Sequence, residues 1–430
     1  MQKSPGFAQI SAAVIGNALE WYDFIVYGFL AVTISKLFFP PGETTALLST
    51  FAIFGVAFVV RPFGGIVLAH FADLHGRKSM MFVVIALMTL GIALIAFAPT
   101  FAAIGIAAPF VILLARLIQG LSAGGEFASA TSFLVEHAPP HRRGLYGGWQ
   151  NAGQGAASLL AGIVGAAVAQ ELTPAQLESW GWRIPFLIGL IIGPIGFYIR
   201  VRVAETPEFL QLQGDRAKKI ANPFGRVVAE HKRRVLTGFG LVVGGTACVY
   251  VLIIYIPTYA VRSLKLDLTA GFMATVVSSL ALTLFCPLTG YMSDRWGRRP
   301  VMGVSVAIIL IAIYPIFAWL NDEPSPTKLI VASALFGLVL SGYSGPFSTA
   351  VAELFPAGVR ATGLAVAYNL GVAVFGGFAP FIVNLLIGRT GDQFVPAYYV
   401  IIGLLLTLAA IIAMPEGRTA GPAGRMTRGR

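Results

Sequence analysis

The chain has 430 residues, is 57% hydrophobic and only 11% Asp, Glu, Lys or Arg, with a mean hydropathy of +0.79. An ordinary soluble domain carries about 25% charged residues, so a soluble fold of this length is excluded: it could not cover its own surface. A net charge of +11 would suit a nucleic-acid binder, but the basic residues form no stripe interleaved with aromatics and sit in short loops between apolar blocks.

Taken in chain order, the apolar blocks predict twelve membrane spans, roughly at 12–36, 45–72, 79–98, 109–135, 145–170, 182–201, 235–260, 269–292, 301–320, 328–354, 361–387 and 394–414. Residues 80–98 and 301–320 carry no charge at all. The first block follows a single Lys3 and outruns a signal-peptide core with no small-residue cleavage site, so it reads as an uncleaved span. Cys248 and Cys286 lie inside apolar blocks and imply no disulfide framework. When loops are split by parity, 22 of the 30 Lys and Arg fall on the side of the termini and 6 on the other, while Arg61 and Arg116 lie inside spans. The positive-inside rule then predicts both termini in the cytoplasm. The longest polar stretch, 203–233, reads as a cytoplasmic linker between six-span halves at 1–202 and 234–430.

The halves resemble each other. Ala-Asp-Leu-His-Gly-Arg-Lys at 72–78 is matched by Ser-Asp-Arg-Trp-Gly-Arg-Arg at 293–299, and Glu136, Arg142 and Gly144 by Glu353, Arg360 and Gly363. Matched loops are the mark of a duplicated transporter with its site near the midplane. The repeated D-x-x-G-R-[KR] loop, with Arg116-x-x-Gln119-Gly120 in span four, resembles the Major Facilitator Superfamily. Further stretches narrow the resemblance to the metabolite:proton symporters, which include bacterial citrate, tricarballylate, α-ketoglutarate and proline/betaine carriers. They are Gly16 to Phe24, Arg61-Pro62-Phe63-Gly64-Gly65, Gln119 to Glu126, Gly181-Trp182-Arg183-Ile184-Pro185 and Glu205-Thr206-Pro207. The resemblance implies an all-α fold of twelve helices in two pseudo-symmetric halves. It also implies a latch at Asp73 and Arg77 and at Asp294 and Arg298 that gates the outward-facing state. Leu74 and His75 depart from the commoner form of the first copy.

Five ionisable residues fall inside spans: Glu20, Asp23, Arg61, Arg116 and Glu126. Each costs about 2.5–3.5 kcal/mol at mid-helix on insertion scales, so each calls for a role. Glu20 and Asp23 lie about a turn apart on span one, with Asn17 and Tyr27 extending the face; a helix rise of 1.5 Å per residue places Arg61 at similar depth. Arg116, Gln119, Ala123 and Glu126 fall within about 80° of one face of span four at 100° per residue, and a guanidinium fork suits a carboxylate. Three acids against two arginines leave one negative charge over, which in low dielectric should take up a proton. The candidate proton carriers are therefore Glu20, Asp23 and Glu126, with span one favoured.

Polar residues on other spans outline a cavity: Gln150, Asn151 and Gln154 on span five, Tyr255 and Tyr259 on span seven, Tyr343 on span ten, Tyr368 and Asn369 on span eleven. With no G-x-x-x-x-G-K-[ST], H-E-x-x-H or G-x-S-x-G motif, neither ATP, a metal, another cofactor nor enzyme activity is expected. The expectation is a monomeric symporter of the bacterial inner membrane that carries protons with a small organic acid. A di- or tricarboxylate such as citrate comes first, since Phe375 to Pro380 with Thr390-Gly391-Asp392 looks more like the citrate carriers. The alternatives are α-ketoglutarate or a zwitterionic osmolyte of the proline/betaine type, and more remotely a sensor or channel.

Overall fold

The computed structural model describes residues 7–75, 77–201, 223–356 and 359–415, and the regular elements among them are helices. Hydrocarbon offers a backbone no water to bond, so each crossing segment satisfies its amides internally. Among the described residues nine helices are long and apolar enough to cross, and a tenth if the bent pair of span one counts as a single crossing. Helices Arg77–Ala96 and Arg183–Val201 occupy the places of spans three and six, an arrangement consistent with the expected twelve. Large side chains such as Ile191, Ile311, Ile402 and Ile412 point outward, as a lipid-facing surface requires.

Two spans correct the expected outline. Span one is not continuous over 12–36: the helix Phe7–Phe29 ends before Ala31–Phe38, and Glu20–Phe29 meets the latter at an angle of 69°. Leu30, at φ −92° and ψ 13°, leaves the helical region there. Span four crosses as one piece over Ala107–His137, but its helical ladder is interrupted at Ala123-Gly124-Gly125 between Ala107–Ser122 and Glu126–His137. Gly124 is pressed against the backbone of Arg61 and Gly65 in span two, where a Cβ has no room. Glu126 opens the second stretch and is half-buried.

Spans seven and eleven are interrupted by another device. Lys232–Val249 passes into a wide π turn, Tyr250–Ile254, then continues as Ile256–Arg262 with Pro257 in its first turn. Span eleven repeats this with Arg360–Val372, a π turn at Ala373–Gly377, and Ala379–Thr390 carrying Pro380. Proline lacks an N–H and tolerates only the start of a helix, so the widened turn restarts the ladder before it. Span ten, by contrast, keeps Pro346 inside the unbroken helix Pro326–Glu353.

The halves meet most broadly where span five, Arg143–Glu171, packs on span eight, Leu268–Trp296. Gly144, Gly148, Gly155, Gly162 and Gly165 form a ladder along span five, facing Gly290, Cys286, Thr283, Val276 and Phe272. With no hydrophobic driving force between helices in lipid, close backbone approach through small residues supplies the van der Waals contact.

Candidate functional site

Two buried ion pairs lie one helical turn apart in the N-terminal half. Glu20 is 3.1 Å from Arg61 of span two, and Asp23 is 3.5 Å from Arg116 of span four; none of the four side chains is more than 3% exposed. Taking charges out of water is costly, and pairing offsets it only with good geometry and extra contacts. Here the extra contacts are aromatic. The Arg61 guanidinium lies 4.4 Å from the ring centres of both Phe24 and Phe58, and that of Arg116 lies 3.9 Å from Tyr27. Tyr27 is held in turn by a 3.2 Å bond from its hydroxyl to the Thr50 carbonyl.

The second pair is the looser one. Arg116 donates to Gln119 Oε1 at 2.8 Å, a shorter contact than the one it makes with Asp23. Nε and Nη2 of Arg116 and Oδ1 of Asp23 are buried without a hydrogen-bond partner among the described residues. A buried donor or acceptor left unmade costs about 1–3 kcal/mol, more when charged, so this pair is poised to accept another group. Two of the three interior acids pair with the two arginines, and the third, Glu126, sits half-buried where the helix of span four is interrupted.

Between the halves lies a cavity of about 60 Å³, lined by Trp21, Asn151, Gln154 and Ser158 on one side and Tyr250, Tyr343 and Tyr368 on the other. Ligand sites typically measure 300–1,000 Å³, so this one is contracted. One aromatic layer separates it from the ion pairs: Phe58 touches Arg61 and packs 5.5 Å from Tyr250, whose ring in turn packs 6.1 Å from Trp21.

The remaining candidates brace this centre. Asn17 accepts from Gln154 at 2.9 Å, tying span one to span five. Gln150 accepts from Thr131 at 2.8 Å and so fixes span five to the second piece of span four. Asn369 donates to the Gly124 carbonyl at 2.9 Å, covering a backbone group that the break exposes. Asn151 reaches across the halves to Ser348 Oγ at 2.8 Å. Tyr255 and Tyr259 lie toward the end away from Asp294, bonded to Asn384 and to the Gln393 carbonyl.

Contacts join the halves toward both ends of the molecule. At one end Asp294 of span eight accepts from the amides of Gly144 and Leu145 at 2.8 and 3.0 Å, capping span five of the other half, and holds Arg298 at 2.8 Å. A carboxylate at a helix N-terminus gains from the helix dipole as well as from the bonds. Glu136 and Arg360 join the halves beside it at 2.8 Å. The side chains of Asp73 and Arg77, the matching candidates, lie outside the described residues. At the opposite end Phe29 packs on Phe272 and Phe51 on Tyr255, with ring centres 5.9 and 5.8 Å apart. Asp294→Asn should open the first end: the amide keeps one acceptor and loses the charge that both the helix terminus and Arg298 use. A cysteine introduced by Thr349→Cys should then react faster with a thiol reagent than in the parent protein; an unchanged rate would deny Asp294 a latching role.

The Major Facilitator Superfamily matches this chain over residues 13–380 and 267–428. The chain belongs to that superfamily. It is 35% identical to a citrate-proton symporter of Klebsiella pneumoniae, over 95% of this chain and 93% of that one. It is 34% identical to a proline/betaine transporter of Salmonella typhimurium, over 95% of this chain and 83% of that one. A crystal structure of a D-xylose-proton symporter superposes with a TM-score of 0.76 at 18% identity, covering 96% of this chain and 99% of that one.

For this facilitator, Trp21 and Tyr250 are among the cavity residues that escaped the reading of the sequence. Trp21 stands between Glu20 and Asp23 in the stretch already singled out, and its position there was the available signal. Tyr250 carries no such signal. It opens the π turn of span seven and lines the cavity, whereas the expected Tyr255 and Tyr259 are not among its lining residues.

Proposed function

We propose that this facilitator is a proton-coupled symporter that imports a small organic acid, a di- or tricarboxylate such as citrate, by alternating access. The observation that carries the reading is the Asp23–Arg116 pair, long at 3.5 Å, with two unsatisfied arginine donors beside it. A proton on Asp23 removes its claim on the guanidinium, whose planar fork then accepts a substrate carboxylate. Loss of that proton on the other side returns Arg116 to Asp23 and expels the cargo. Glu20 and Arg61, the closer pair, hold the frame of the site. The names of the citrate-proton symporters among its relatives support the same reading.

One observation favours a second cargo. Trp21, Tyr250, Tyr343 and Tyr368 surround the cavity with aromatic rings, and such rings attract a quaternary ammonium, which fits a zwitterionic osmolyte of the kind that the proline/betaine relatives are named for. Within the proposal the chain comprises halves 1–202 and 234–430 joined by a linker at 203–233, acts as a monomer, and sits in the bacterial inner membrane with both termini and the Asp294 end in the cytoplasm.

The test uses purified protein in proteoliposomes with an imposed pH gradient and a panel of carboxylates and betaines. Asp23→Asn should abolish accumulation of the cargo against its gradient while retaining part of the counterflow, since exchange need not cycle the proton. Glu20→Gln, which unpairs Arg61, should lower both. If Asp23→Asn accumulates solute like the parent, Asp23 does not carry the proton.

A further inference from the structure

The central cavity between the halves is polar yet uncharged: no Asp, Glu, Lys, Arg or His is among the described residues that line it. Its titratable groups are Cys286 of span eight and Tyr250, Tyr343 and Tyr368 of spans seven, ten and eleven. With ordinary pKa values of about 8.5 and about 10, these groups are neutral at working pH. Spans one and five contribute the indole of Trp21, the amides of Asn151 and Gln154, and the hydroxyl of Ser158, whose Oγ has no partner among the described residues. Spans seven and ten add the hydroxyls of Thr246 and Ser344. The Glu20–Arg61 and Asp23–Arg116 pairs stand behind the aromatic layer of Phe58 and Tyr250, each arginine facing a carboxylate.

An ionised carboxylate in such a cavity meets no cation, and leaving water disfavours its charged form, so it takes up a proton. A carboxylic acid both donates and accepts a hydrogen bond, which hydroxyls and amides can answer. We propose that a polycarboxylate is carried as its monoanion: one ionised carboxylate goes to Arg116, and the carboxyls that enter the cavity are protonated and bond to Thr246 and Ser344. This rests on the reading of the cargo as a polycarboxylate held by Arg116. The protons on the remaining carboxyls come from the water outside and return to the water inside. They cross with the cargo in addition to the one on Asp23.

The test compares tricarballylate, which has three carboxyls, with its dimethyl ester, which keeps one. Both are titrated calorimetrically into the full-length protein in lipid nanodiscs. The ester stays singly charged, whereas the acid must first bind two protons. Between about pH 6.5 and about pH 7.5 the affinity for the acid should therefore fall about a hundredfold relative to that for the ester, roughly tenfold for each proton. Taking the ratio cancels any titration of Asp23, which both probes share. Thr246→Val and Ser344→Ala should each weaken the acid several-fold more than the ester, which accepts hydrogen bonds but cannot donate them. A misfolded variant would lose both probes alike. A ratio independent of pH would mean that the cavity holds ionised carboxylates, and the proposal fails. If tricarballylate accumulates in proteoliposomes alongside that flat ratio, the symport reading stands without it. If the ratio falls as expected and nothing accumulates, the monoanion site stands and the symport reading fails.

Discussion

Arg116→Leu should destabilise the folded protein by about 3–5 kcal/mol, the usual cost of stranding one member of a buried ion pair, whereas Arg116→Leu combined with Asp23→Asn should recover most of that loss. Both side chains are no more than 1% exposed, so the stranded Asp23 carboxylate has no water to turn to. Its second oxygen already lacks a partner, and its helix neighbour Glu20 keeps a charge of the same sign close by. Neutralising Asp23 in the double variant removes the stranded charge, and the leucine fills part of the space left beside Tyr27 and Phe24. Unfolding of the two variants in nanodiscs gives the comparison directly. Neither variant should accumulate substrate, so stability and transport separate: one recovers and the other does not. Equal losses of stability in the single and double variants would mean that the pair contributes nothing to the fold.

A side chain on the glycine ladder should do comparable damage by geometry alone. A Cβ at Gly148 already crowds the Cys286 carbonyl and approaches Pro287 of span eight, which are backbone atoms that cannot step aside. Gly148→Leu should wedge spans five and eight apart and reduce transport at least a hundredfold, since the halves can no longer close over the cargo. The chain reports on this itself. Its two cysteines, Cys248 and Cys286, are both buried and unpaired, and Cys286 lines the central cavity. Buried thiols react slowly, so Gly148→Leu should raise the rate of N-ethylmaleimide labelling at Cys286 well above that of Cys248. Equal, slow labelling with normal transport would show that the contact is softer than it looks.

The sequence was most readable where one physical constraint acts alone. Helix positions follow from the need to bury apolar side chains in lipid, and the expected spans coincide with the helices to within a few residues. The depth of Arg61 followed from helix rise, which brought it level with span one; it did not distinguish Glu20 from Asp23, because that choice depends on rotation set by Phe24 and Phe58. The pairing of Arg116 with Asp23 lies further out of reach, since it needs the packing of span four against span two. That packing is made by Gly64, Gly120 and Gly124, residues whose effect is what they leave out. The division of span four has the same origin. The charge tally of three acids and two arginines could not say which acids pair, because that depends on the packing that brings Glu20 to Arg61 and Asp23 to Arg116. Trp21 and Tyr250 were passed over because an aromatic residue in a membrane span usually packs, and nothing in the local pattern marks those that face a cavity.

The matched ion pairs have an electrical consequence. Glu20 cancels Arg61 and Asp23 cancels Arg116, so these four groups carry no net charge as the halves rock. Each uncompensated elementary charge moved across the membrane would gain or lose about 2.3 kcal/mol per 100 mV. The empty protein, with Asp23 ionised, should return across the membrane at a rate that hardly varies with voltage. Any voltage dependence of uptake then belongs to the loaded step alone, and its sign reads out whether the protons taken up outnumber the negative charges of the cargo.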